Sequence, residues 1–137
     1  MSTDAYLEQL KDALATAMPG RLVTREWLDP GQRKDEALQQ GVITLISRRE
    51  QGYADYPGRE AQLGTLELAL IGQLHCGAKG NGLDVERAEL ALVEEVKAFV
   101  TNRPDELGNL ALRSWEQSGQ LEAPYGWVAF SLNWYLN

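Results

Sequence analysis

The chain is poor in the residues that carry out chemistry. Its 137 residues include one histidine and one cysteine. A lone cysteine excludes an internal disulfide and fits a reducing compartment. One imidazole and one thiol fall short of the several nitrogen or sulfur ligands that zinc takes. His75 and Cys76 are neighbours, and neighbours on a strand point to opposite faces, so they are not expected to form a nucleophile–base dyad. The closest carboxylate pairs, Glu94–Glu95 and Asp105–Glu106, are adjacent residues that diverge on a helix, and no calcium-loop spacing is present. The glycine-rich run GAKGNG at 77–82 lacks the order of a phosphate loop, and Asp84 at the following helix start would repel phosphate. The expectation is a protein with no cofactor, no metal and no catalytic site, which works through its surfaces.

Positive charge and long apolar runs are scarce too. Thirteen Lys and Arg stand against twenty Asp and Glu, a formal net charge of −7. Such a surface repels phosphate and argues against tight nucleic-acid binding. The most apolar stretch, 63–74, is interrupted by Glu67, Gly72 and Gln73, too short and too polar to cross a bilayer. The opening MSTDAYLEQL has neither the basic nor the apolar region of a secretion signal. A soluble cytoplasmic chain with no membrane partner is expected. The length suits one domain spanning 1–137, and 44% apolar with 24% charged residues is ordinary globular composition.

What is present is patterned. Leu7, Leu10, Leu14 and Met18 recur at three- and four-residue steps and predict an amphipathic helix over 3–17, capped by Ser2 or Thr3 and ended by Pro19-Gly20. Residues 21–27 read as a short strand, and 41–47, rich in β-branched residues, as a second. Residues 48–60 (RREQGYADYPGRE) show no apolar period and read as a long connecting loop. Alternation over 65–76 predicts a third strand. A helix follows from 83 to about 101, with Asp84 as its cap, Val85, Ala88, Leu92, Val96, Phe99 and Val100 inward, and Glu86, Arg87, Glu89, Glu94, Glu95 and Lys97 outward. A weaker strand over 110–121, a turn at Pro124-Tyr125-Gly126 and a strand alternating from Val128 to the end complete the order α-β-β-β-α-β-β. With no repeated βαβ unit, this reads as an α+β fold, a mainly antiparallel sheet of about five strands with two helices packed on one face.

The candidate site residues are therefore interface residues. Arg48, Arg49, Tyr53, Tyr56 and Arg59 cluster in the 48–60 loop. Trp127 and Tyr135 share a semi-polar strand face with Ala129, Ser131 and Asn133, whereas Trp134, and with it Trp115, reads as core. Trp and Tyr suit interfaces because they bury much area at low entropy cost.

In size and element order, carried by 5–18, 41–47, 63–76, 83–100 and 127–136, the chain resembles the tail terminator (tail-completion, minor tail protein U-like) family of long-tailed phages. The resemblance implies a homo-oligomer, a hexameric ring, on the head-proximal end of the tail tube. It would stop tube polymerisation and offer a surface to the head–tail connector protein. The 48–60 loop would contact neighbours or the tail tube protein, DNA would pass through an acidic lumen, and the protein would reside in the virion after assembly in the host cytoplasm. The alternative is a small acidic immunity or inhibitor-type module that masks a basic protein partner.

Overall fold

The structure, a computed structural model, describes residues 1–55, 58 and 62–136. The elements are α1 (Thr3–Ala17), β1 (Leu22–Thr24), α2 (Asp35–Gln40), β2 (Val42–Gln51), β3 (Thr65–His75), α3 (Gly82–Thr101), β4 (Asn109–Gln117) and β5 (Tyr125–Tyr135). The five strands form one sheet in the order β1-β2-β3-β5-β4. Only the β1–β2 pair is parallel; the other three pairs are antiparallel. This is the expected α+β architecture, with one short helix more than the sequence reading contained.

Both long helices lie on the same face of the sheet. Leu7, Leu10 and Leu14 of α1 and Leu92, Val93 and Val96 of α3 join one core cluster with Ile43, Leu45, Leu68, Leu70, Phe130 and Leu132. The Trp134 ring meets the edge of Tyr6 at 5.8 Å, and its indole N–H donates to the Leu107 carbonyl at 2.5 Å. Close approach of α3 depends on two glycines. A Cβ at Gly72 would come within 2.2 Å of Leu92 Cδ2, and one at Gly126 within 2.5 Å of Val85 Cγ1. A side chain at either position would push the helix off the sheet.

Several boundaries differ from expectation, each for a local reason. β2 continues through Arg48, Arg49, Glu50 and Gln51 rather than entering a loop at 48. Pairing with β3 sustains it: Arg49 and Gln51 both donate to Glu67 Oε2, at 2.5 and 2.7 Å, across a register shift between Ser47 and Arg49. β1 contracts to three residues. Tyr125 and Gly126 belong to β5 and not to a turn, because β3 runs long enough to pair His75 with Tyr125 and Leu74 with Gly126. The cap of α3 is Asn81, whose side chain accepts the Asp84 N–H at 2.9 Å while Asp84 accepts the Asn81 N–H at 3.1 Å. Asp84 is thus the third helical residue of a reciprocal capping box. Trp115 is 37% exposed on the edge strand and is not core, whereas Trp134 is 1% exposed. β5 is flanked by β3 and β4, so the terminal strand is interior to the sheet.

The other face of the sheet is only partly covered. Residues 25–40 cross behind one end of it. Gln73, pointing away from the long helices, donates to the Leu28 carbonyl at 3.0 Å and accepts from Arg33 Nε at 3.2 Å. There Val42, Thr44 and Gln73 are buried, with Leu38 of α2 also fully enclosed. Towards the other end Glu67, Ser131 and Asn133 are half-buried and Tyr135 is exposed.

Candidate functional site

The open face collects part of the predicted interface set. Trp127 and Tyr135 both project from β5 onto it, at opposite ends of the strand, with Ala129, Ser131 and Asn133 half-buried between them. Arg49 lies on the same face, since its register partner Glu67 faces Asn133 in turn. It is tied to Glu67 and is therefore a sheet residue rather than a loop arginine. Arg48 sits at the bulge where register is lost, exposed and without an ion-pair partner among the described residues.

Beyond β2 the chain makes a single 3₁₀ turn at Tyr53–Asp55. The Tyr53 phenol donates to Glu50 Oε1 at 2.5 Å, and that hydrogen bond is the main reason its pKa lies above the ordinary phenol value. Glu50 also accepts the Gly64 N–H at 3.3 Å, so one carboxylate ties Tyr53 and the far arm of the β2–β3 connection together. Tyr56 and Arg59 lie outside the described residues.

A residue read from sequence as solvent-facing is a fully enclosed charged group. Glu89 of α3 is fully buried. Its carboxylate accepts from Ser118 Oγ at 2.5 Å, from the Trp127 backbone N–H at 3.0 Å and from Gln117 Nε2 at 3.2 Å. All three partners donate, which satisfies a buried acceptor that would otherwise cost several kcal/mol, about 1–3 per unmade bond. Gly126 leaves the room for it: a Cβ there would lie 2.7 Å from Glu89 Oε2. The signal was present in the sequence. Val85, Glu89, Leu92 and Val96 follow the same three- and four-residue spacing, so Glu89 falls inside the apolar stripe.

The His75–Cys76 pair adopts separate roles. His75 Nδ1 accepts the Gly77 N–H at 3.0 Å, and its ring packs edge-on against Tyr125 at 4.6 Å. Burial, then the nearby Asp84 and Glu89 carboxylates, push the Cys76 thiol above its ordinary pKa, away from the thiolate that a nucleophile requires.

Charge divides unevenly between the layers. α1 carries three acids against one lysine, and α3 five acids against two bases. Between them runs a groove of about 1170 Å³, floored by Ala13, Met18 and Phe99 and edged by Asp4, Glu8, Asp12, Glu95 and Glu106. Most of those acids already have partners. Arg25 donates to Asp4 at 2.9 Å and Glu8 at 2.8 Å, Lys11 reaches Glu8 at 3.1 Å, and Arg21 forks onto Glu95. Arg25 and then Lys11 hold the Glu8 carboxyl below the usual carboxylate range.

A second, smaller concavity of about 300 Å³ opens on the other face, between Trp27 and the start of β5. No family model matches this chain, and no curated protein matches it.

Proposed function

We propose that this chain is a structural subunit of a phage or prophage tail. In this reading it caps the head-proximal end of the tail tube as a hexameric ring, stops tube polymerisation and provides the surface for head–tail joining. The observation that supports the reading most is the two-sidedness of the sheet. One face is closed by α1 and α3, while the other leaves Trp127 and Tyr135 at least partly accessible, and no other described strand pairs with the outer edge of β4. A subunit that must be flanked on two sides by copies of itself needs such surplus surface outside its own core. Apart from the added α2, the order of helices and strands is the one read from the sequence.

The test is assembly. The purified chain is examined by mass photometry and electron microscopy, alone and with a candidate tail tube protein. Rings on tube ends support the reading, as does a deletion of residues 51–58 that folds but fails to assemble. Absence of rings, together with normal-length tails from a null mutant, would end it.

The acidic helical layer favours one second reading, an inhibitor-type module that masks a basic protein. It requires a stable monomer and one partner whose binding weakens steeply with salt. A pull-down at low salt that recovers no basic protein excludes it.

A further inference from the structure

The smaller concavity is built unlike the rest of the surface. Trp27 and Pro30 line it from the 25–40 segment, and Tyr125 and Trp127 from β5. Ile71 and Ala129 add apolar floor, and Glu122 from the turn before β5 also lines it. Aromatic side chains and one carboxylate thus meet in a space of about 300 Å³. That is the lower end of small-molecule pockets, roughly 300–1,000 Å³, and suits a single long side chain better than a cofactor or nucleotide.

The walls are held in place before anything binds. Gln73 donates to the Leu28 carbonyl at 3.0 Å, and an Arg33 terminal nitrogen donates to the Glu26 carbonyl at 2.8 Å, so the residues on both sides of Trp27 are fastened. On β5 the Trp127 backbone N–H is fixed by the buried Glu89 at 3.0 Å. Its neighbour Tyr125 packs edge-on against His75 at 4.6 Å. With the backbone on both sides anchored in this way, binding has mainly side-chain rotation left to restrict.

Aromatic faces carry negative quadrupole charge and attract a cation stacked on them, and a carboxylate at the rim adds to the same sign. Glu122 is exposed and has no ion-pair partner among the described residues. Among the described residues no lysine or arginine lines the pocket. Arg33 donates to the lining Gln73 side chain and to the Glu26 backbone carbonyl, both neutral groups, so its positive charge persists and limits the affinity to be expected. Between the two side-chain cations, planar and weakly hydrated guanidinium stacks on indole better than the compact ammonium.

We propose that the pocket between Trp27 and Trp127 receives the guanidinium group of an arginine presented by another protein chain. The pocket would do so whether or not the chain builds rings, so its test stands apart from the assembly test.

The experiment follows the four tryptophan indole N–H signals of the full chain by NMR during titration with n-butylguanidinium at constant ionic strength. Trp27 and Trp127 should shift saturably. Trp134, enclosed on the far face, should not move. The neutral isostere n-butylurea should bind about tenfold more weakly, and n-butylammonium should also bind more weakly. Glu122→Gln should weaken binding about threefold, and Trp127→Leu should abolish it while keeping apolar bulk. Trp27→Leu, on an exposed segment, keeps the test decisive if the first variant does not fold. An acetylated, amidated Gly-Arg-Gly peptide should match n-butylguanidinium. Equal binding of n-butylurea, or a guanidinium response that survives both Trp variants, overturns the proposal. Binding of free n-butylguanidinium but not of the peptide overturns the protein-borne arginine in favour of a small free cation.

Discussion

The two faces of the sheet are made from the same strands and solve opposite problems. On the helix-covered face, Phe130, Leu132 and Trp134 interlock with α1 and α3 and are almost fully removed from water. On the other face the intervening residues, Trp127, Ala129, Ser131 and Asn133, remain half-exposed. Period-two alternation assigns each residue to a face, but it does not decide whether a face is covered. That is decided by where the helices and the 25–40 segment come to rest. The closed face holds stability, and the open face holds aromatic surface that the fold itself does not consume. Glu89 links the two: it projects from α3 and fastens the strand from which Trp127 points outward.

Paired substitutions test this division. Phe130→Ala should cost about 3–5 kcal/mol, as expected for emptying a packed core site. Urea denaturation measures it, and a loss comparable to that of a surface residue would refute the closed-face assignment. Glu89→Ala comes next, at about 2–3 kcal/mol, because it leaves the Ser118 and Trp127 donors buried without an acceptor. Hydrogen exchange at the Trp127 amide should accelerate in that variant; unchanged protection would mean the carboxylate does not fasten β5. Asn81→Ala should cost about 1 kcal/mol by removing the side-chain acceptor of the α3 cap. Trp127→Ala, three residues before Phe130 and on the opposite face, should cost about 1 kcal/mol or less. A Trp127→Ala loss equal to that of Phe130→Ala would erase the distinction between the faces.

The smallest effect concerns α1. The Glu8 carboxyl is held below its ordinary value of 4.5, mainly by Arg25. A lowered folded-state pKa stabilises at neutral pH, and that contribution is lost as pH falls through the folded value. Arg25→Ala should therefore raise the Glu8 titration midpoint in NMR, and its small deficit at pH 7 should vanish in acid. A deficit that persists at low pH would assign Arg25 a packing role instead.

Much of this architecture was legible because its signals are long. α1, β3, α3 and β5 each extend over eleven or more residues with one unbroken period. α2 carries no such signal, because six residues, DEALQQ, are too few to display a helical stripe. The continuation of β2 through Arg48 and Arg49 leaves no local pattern, because its support is cross-strand pairing with Glu67, a long-range relation. Residue type alone points Glu89 outward, whereas its spacing places it inward. The pocket was the least legible feature. Trp27 and Trp127 stand a hundred positions apart, and only the path of residues 25–40 behind β3 brings them together.

The outer edge of β4 carries a break in register between Leu112 and Ser114, with Arg113 exposed at the break. Another chain adding to that edge would find a straight run of only three or four residues on either side before its hydrogen bonds fell out of step. A flat edge would template indefinite stacking, whereas a broken one permits only short and reversible pairing. At high concentration the chain should therefore stay a dispersed pool, free of fibrils, until a partner of the right shape collects it.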